Sequence, residues 1–316
     1  MEIKQVSPQV KVHDNPKQRK MKQRRYGRGD LFWAYIMIAP LMLGLFIFYV
    51  YPVFQTVYYS FVEWGAFGNY KWTGLDNYNK LLTDTDLHRA IRNTVVYIVL
   101  SVPLSIFLSI LVAALLNQKI RGLTIYRTLY FLPVITMPAA VAMVWRWLYN
   151  ADYGLLNYAL GLLSIKGPHW LTDPNIALYS VILVAIWSSI GNNMIIFLSG
   201  LQGISSSYYE AASIDGAGTI SKFYRITLPL LTPTIFFVGV ISLISAFQVF
   251  DMIYMMIGEK NIAIESTQSI VFLFYKYGFT QNMKGYASAI AVLLFVIILI
   301  VTFIQMKLQK KWVHYG

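Results

Sequence analysis

Tyr208 to Pro229 reads YYEAASIDGAGTISKFYRITLP, a polar stretch set between two long apolar ones. Ser207-Tyr208-Tyr209-Glu210 has the S-x-x-E form of a capping box, which predicts a helix start at Ser207 with Glu210 reaching back to it. Ala211, Ala212 and Ile214 follow as small or apolar residues able to pack against a surface. Gly216 and Gly218 then end the helix, since glycine enters left-handed conformations cheaply. Ile226, Leu228 and Pro229 carry the chain back into apolar sequence. The expectation is a short, rigid, protruding helix–turn–helix. Glu210 as a cap and Gly218 as a turn are structurally sufficient by themselves, but the apolar residues of such a helix have no surface to bury against within the loop. That points to docking on a partner.

The sequence around this loop belongs in a membrane. Apolar residues make up 57% of the chain and charged residues 13%, with a mean hydropathy of +0.54; a soluble domain carries about 25% charged residues. Six stretches are long enough to cross a hydrocarbon core of roughly 30 Å as helices: 31–51, 94–116, 126–148, 176–200, 231–257 and 287–306. The third and fifth are interrupted by polar groups and prolines, and Pro103, Pro133 and Pro138 are expected to kink their helices. The fold class is therefore all-α integral membrane, a six-helix bundle over 31–316 behind a basic tail, 1–30. Segments 1–30, 117–127, 201–230 and 307–316 hold 17 of the 26 Lys and Arg residues. The positive-inside rule places these segments, both termini included, in the cytoplasm. The intervening loops, 52–93, 146–175 and 258–286, then face outward. In the first of them TGLDNYNKLL predicts a short helix, and in the second Leu155–Leu163 predicts an amphipathic turn. Trp33, Tyr49, Tyr51, Tyr58, Tyr59, Trp64, Trp145, Trp147 and Tyr149 cluster near the boundaries, as an aromatic belt does. The basic tail lacks the aromatic and glycine pattern of an RNA-binding module, so its charge reads as a topology signal and anionic-lipid contact rather than nucleic-acid binding.

Glu210-Ala211-Ala212, Asp215-Gly216-Ala217-Gly218 and Ile226-x-Leu228-Pro229 resemble the EAA loop of the permease subunits of ATP-binding-cassette (ABC) importers, the inner-membrane components of binding-protein-dependent transport systems. Tyr26 to Asp30, Trp72 to Tyr78, Tyr126 to Pro133 and Gly285 to Ala289 extend the resemblance over nearly all of the chain beyond the tail. Together they are similar to the MalF- and UgpA-like branch that imports oligosaccharides and glycerol phosphates. The resemblance implies a type I importer permease in a bacterial or archaeal cell membrane, and a coupling helix seated in a groove of a cytoplasmic ATPase. Glu210, Ala211, Ala212, Asp215, Gly216, Gly218, Leu228 and Pro229 would form the docking loop. It further implies a second permease, two ATPase subunits that bind ATP and Mg, and an external binding protein that delivers a sugar.

No catalytic constellation appears. A Walker A sequence is absent, so ATP hydrolysis by that route belongs to another chain. Zero cysteines exclude thiolate metal sites, and His13, His88, His169 and His314 have no metal-ligand spacing; no metal or cofactor is expected in this chain. Two polar groups inside apolar spans remain. Trp187, Asn192 and Asn193 lie in WSSIGNN of the fourth span, where Gly191 permits close approach of a helix or a ligand. Gln248, Asp251 and Tyr254 fall along one face if the fifth span is a continuous helix. Such a face offers a sugar hydrogen-bonding groups and an aromatic surface. The resemblance puts sugar contacts in these two segments. Helix-bridging by the asparagines, and capping or pairing by Asp251 near the outer end of its helix, are the structural alternatives. Other readings are a permease for a glycerol phosphate, amino acid or peptide, or an ion-coupled transporter using Asp251. No internal repeat supports the last.

Overall fold

The structure, a computed structural model, describes residues 28–64, 70–118 and 121–313. Most of the basic tail lies outside them, as do His13 and His314. The chain divides between Phe54 and Gln55 into two units. The first contains α1 (Arg28–Leu45), a π turn (Phe46–Val50) and the opening of α2 (Tyr51–Ser60). The second contains the rest of α2, a hairpin of β1 (Val62–Trp64) and β2 (Tyr70–Trp72), α3 (Asp76–Thr83) and α4 (Thr85–Leu116). It continues through α5 (Leu123–Ile135), α6 (Pro138–Leu148), α7 (Leu155–Leu162) and α8 (Ala177–Gln202). After the coupling loop, α9 (Ser206–Ile214) and α10 (Thr219–Lys222), come a second π turn (Phe223–Thr227) and α11 (Leu228–Phe247). The chain ends with α12 (Asp251–Met256), α13 (Ile264–Thr267), α14 (Ile270–Tyr275), a third π turn (Lys276–Thr280) and α15 (Lys284–Trp312). Among the described residues five helical runs are long and apolar enough to cross a membrane, or six if α5 and α6 count as one span.

Two expected spans are broken. The third, expected over 126–148, is α5 and α6 bent by 99°. Thr136 is extended and Met137 follows at ψ 132°, outside the helical region disfavoured for a residue before proline, here Pro138. The expected kink is a full corner. The fifth, expected over 231–257, stops at Phe247, and Phe250 at φ −140° separates it from α12. The Val249 carbonyl, lost to the helical ladder, accepts from the Ser269 hydroxyl at 2.6 Å. Phe250 packs into a cluster with Tyr254, Phe272 and Tyr275. Tertiary partners satisfy this break, so the local sequence does not announce it. Pro103, by contrast, sits inside a continuous α4.

Two of the π turns share a cause. The amide of Tyr51 bonds the carbonyl of Phe46, and that of Leu228 bonds Phe223; Pro52 and Pro229 come next. A proline ring in a helix presses on the carbonyl four residues back. Widening the preceding turn relieves that contact.

The end of the second unit away from the coupling loop is tied together by Asp84. One carboxylate oxygen accepts the amides of Asp86 at 2.8 Å and Leu87 at 3.2 Å, capping α4. The other accepts the hydroxyls of Tyr286 at 2.6 Å and Tyr277 at 3.0 Å. Lys276 pairs with Asp86, and Arg89 with Glu265. Burial pushes the Asp84 carboxyl up, but the hydrogen bonds from Tyr286, Leu87, Tyr277 and Asp86 outweigh it and leave it below its ordinary 3.8. The Tyr277 hydroxyl is pushed up, by burial first and then by Asp84. A depressed carboxyl contributes stability above its unfolded value that is lost as pH falls through the folded one. The melting temperature in detergent is therefore expected to fall below pH 3.8, and to fall less for Asp84→Asn. Parallel pH profiles of the two proteins would refute this.

Candidate functional site

The coupling loop starts two residues before the expected position. Ser205 is the N-cap of α9, its hydroxyl accepting the Ser207 amide at 3.4 Å and contacting the Ser207 hydroxyl at 2.8 Å. Glu210 is thus mid-helix and exposed, and the Ser207–Glu210 capping box does not form. A run of three serines offers three caps, and the register of the whole loop selects among them. The other end is as expected at Gly216, which has φ +75°. The Ala217 amide bonds the Ala212 carbonyl at 2.8 Å and the Gly216 amide bonds Ser213 at 3.1 Å, the paired bonds of a Schellman ending. Gly218 is different. Its φ of −70° is open to any residue, and it caps α10 rather than ending α9.

Glu210, Ala211, Ile214 and Asp215 face away from the bundle, and Ile214 is 87% exposed. Tyr209 and Ala212 face inward and are half-buried, as are Leu228 and Pro229 at the foot of α11. The loop therefore presents an apolar tip that no described residue of the second unit covers.

The second feature is a cavity of about 320 Å³ near the middle of α4 and α8 and the C-terminal end of α11. It lies between an apolar core that includes Tyr97, Val184 and Val249 and another that includes Ile110, Met194 and Leu231. Asn192, Asn193, Gln248 and Asp251 all line it, although the break after α11 removes the continuous helical face on which Gln248, Asp251 and Tyr254 were expected. Trp187 and Tyr254 do not line it. Trp187 stands edge-on to Trp145 with ring centroids 5.4 Å apart, and Tyr254 stacks on Phe250. Gly191 makes the close approach itself, packed under the Tyr130 carbonyl of α5. The amide nitrogen of Asn193 is buried and has no hydrogen-bond partner among the described residues.

A family model described as "Binding-protein-dependent transport system inner membrane component" matches residues 87–314. The chain belongs to that family. The permease is 37% identical to the probable ABC transporter permease protein YesP of Bacillus subtilis, over 93% of its own length and 96% of that protein's. It is 36% identical to the multiple sugar-binding transport system permease protein MsmF of Streptococcus mutans, over 89% of this chain and 96% of that one. It is also 34% identical to the sn-glycerol-3-phosphate transport system permease protein UgpA of Agrobacterium fabrum, over 89% and 96%. Its fold matches a chain from the crystal structure of a bacterial ABC transporter involved in import of the acidic polysaccharide alginate, with TM-score 0.80, 24% identity and coverage of 89% and 96%. This is a multi-pass inner-membrane transport component.

In this permease the cavity also takes residues that sequence reasoning passed over: Ser101 and Ser105 from α4, and Ser242 and Ser245 from α11. Ser101 and Ser105, with Ser109, recur every four residues inside α4, so they lie on one helical face, and all three are buried. That spacing was the available signal. Single serines in apolar spans are easily read as internally satisfied, as Ser105 and Ser109 are by bonds to Val102 and Ser105 carbonyls.

Proposed function

We infer that this permease translocates a neutral sugar or oligosaccharide as one half of an ATP-driven ABC importer. The observation that carries the substrate reading is the cavity lining: serine hydroxyls, two asparagines, a glutamine and one carboxylate, with no Lys, Arg or His among them. Sugar hydroxyls need both donors and acceptors. An anion would meet Asp251 with no countercharge among the lining residues, which argues against a phosphate ester. The excess of basic residues on the coupling-loop side supports a cytoplasmic loop and cytoplasmic termini. In that arrangement α9 docks on one of two ATPase subunits, which bind ATP and Mg and hydrolyse the nucleotide, and this chain is not catalytic. A second permease supplies the other half of the pathway. An external binding protein, like the periplasmic protein in the alginate transporter complex, delivers the substrate. The ion-coupled alternative has no support beyond Asp251, which lies in the cavity with the other polar groups.

The test is uptake by proteoliposomes of the complex purified through this chain, with Mg-ATP inside and the binding protein outside. Radiolabelled neutral di- and trisaccharides are compared with glycerol 3-phosphate. Accumulation of a neutral saccharide is expected; selective accumulation of the phosphate ester would overturn the reading.

Asn193 gives a second expected outcome. Asn193→Leu removes a buried donor without a partner, so the protein should keep its stability or gain about 1–3 kcal/mol. Saccharide uptake should fall. A variant that loses stability and transports normally would show the side chain to be a helix bridge.

A further inference from the structure

Two side-chain bonds tie α9 to the segment that follows it. The Tyr209 hydroxyl meets the Thr227 hydroxyl at 3.0 Å, and Lys222 donates to Ser213 at 2.6 Å. The second pair is exposed and the first is not: Thr227 is 7% exposed, and Tyr209 is on the inward face of α9. An exposed contact competes with water, whereas a shielded one is held more firmly. Thr227 is the last residue of the π turn, whose amide ladder is already shifted by Pro229. Phe223, at the other end of that turn, packs against the core formed by Leu116, Leu201 and Leu231. Directly after Thr227 begins α11, which reaches the cavity at Ser242 and Ser245, about 20 Å further along at the helical rise.

We propose that the Tyr209–Thr227 hydrogen bond is the link through which movement of the coupling helix reaches the cavity, with Tyr209 and Thr227 as positioning residues. The proposal rests on α9 being the ATPase-docking helix. Its outward face meets the ATPase, while Tyr209 on the inward face holds α9 to the base of α11. With the link, a displacement of α9 turns the foot of α11. Without it, the remaining side-chain hydrogen bond between α9 and the segment after it, among the described residues, is the exposed Lys222–Ser213 contact. π turns recur at functional sites because their wider ladder tolerates rearrangement. In such a place a fixed side-chain tie decides whether motion is passed on or absorbed.

The chain contains no cysteine, so one introduced thiol reports without background from this subunit. Ser245→Cys places it on the cavity wall with little change of volume. In the assembled complex, the labelling rate with a charged methanethiosulfonate reagent is compared with and without Mg-ATP and vanadate. The nucleotide-induced change in rate is expected to shrink about fivefold in Tyr209→Phe and in Thr227→Val, the equivalent of one hydrogen bond. Thr227→Ser, which keeps the hydroxyl, should restore it. The double variant should be no worse than Thr227→Val alone, because Tyr209→Phe removes only the shared contact whereas Thr227→Val also removes the hydroxyl's bond to the Lys222 carbonyl at 3.4 Å. ATPase subunits should co-purify in undiminished amount with every variant. An undiminished nucleotide response in Tyr209→Phe and Thr227→Val overturns the proposal. So does loss of the ATPase from these variants, which would make the pair part of the docking surface. If the protein without these substitutions recovers no ATPase, the docking reading beneath the proposal fails instead.

Discussion

Ile214→Asp is expected to abolish recovery of the ATPase subunits with this permease while leaving the permease itself nearly as stable as before. Ile214 is 87% exposed, and an aspartate there meets only the C-terminal end of α9, Glu210 one turn back and the adjacent Asp215, so the change in its own unfolding free energy should stay within about 1 kcal/mol. In the proposed docking the same side chain is an apolar anchor at the tip of α9. Burying an aspartate there costs about 2 kcal/mol or more, an affinity loss of roughly thirtyfold. The two numbers separate docking from folding. Co-purification from gently solubilised membranes gives the first and thermal melting in the same detergent gives the second. ATPase recovered in full with Ile214→Asp would remove α9 from the interface. Gly218→Pro is a poor test of the same loop, because proline accepts the φ of −70° found there. Gly216, at φ +75°, is the position where a side chain strains the turn.

Gly191→Ala is expected to destabilise the packing of α5 on α8. The added carbon would overlap the Tyr130 carbonyl oxygen and crowd Val134. Backbone cannot swing aside as a flexible side chain does, so α5 and α8 must separate. Overpacking of this kind costs about 1–3 kcal/mol, or a fall in melting temperature of about 2–5 °C for a chain of this size. Gly161→Ala is the control. Nothing lies within 4 Å of a carbon added there, and alanine is preferred to glycine in a helix by up to about 1 kcal/mol. Opposite signs for the two substitutions are the expected result. Equal melting temperatures would mean that α5 and α8 are not held at this separation.

The membrane class, the spans 176–200 and 287–306 and the Gly216 ending could be read from residues because their causes are local. An apolar run of sufficient length has few alternatives to a helix across lipid, and a left-handed position after a helix selects glycine. The same holds for the short helix in TGLDNYNKLL, found as α3, and for Leu155–Leu163, found as α7. The loop proposed to dock was visible as a loop with helix signals and uncovered apolar residues. Its cap was misplaced because Ser205, Ser206 and Ser207 are equivalent as caps until the rest of the loop sets the register.

For the cavity the balance is reversed. Asn192, Asn193, Gln248 and Asp251 were conspicuous as polar residues in apolar surroundings, and they do converge. The helical face offered to bring Gln248 and Asp251 together does not exist, since α11 ends at Phe247. What joins them is a break whose backbone groups are satisfied by Ser269 and whose rings pack on Phe272 and Tyr275, residues some twenty positions away. The serines of α4 entered the cavity wall the same way, through packing of α4 on α8 and α11. Local chemistry by itself determined that this chain crosses a membrane and carries a loop with helix signals and exposed apolar residues. Where its helices break, and which polar groups those breaks gather around one space, was decided only by the tertiary structure. A helix ends where distant partners satisfy its freed backbone groups at lower cost than continuing the ladder.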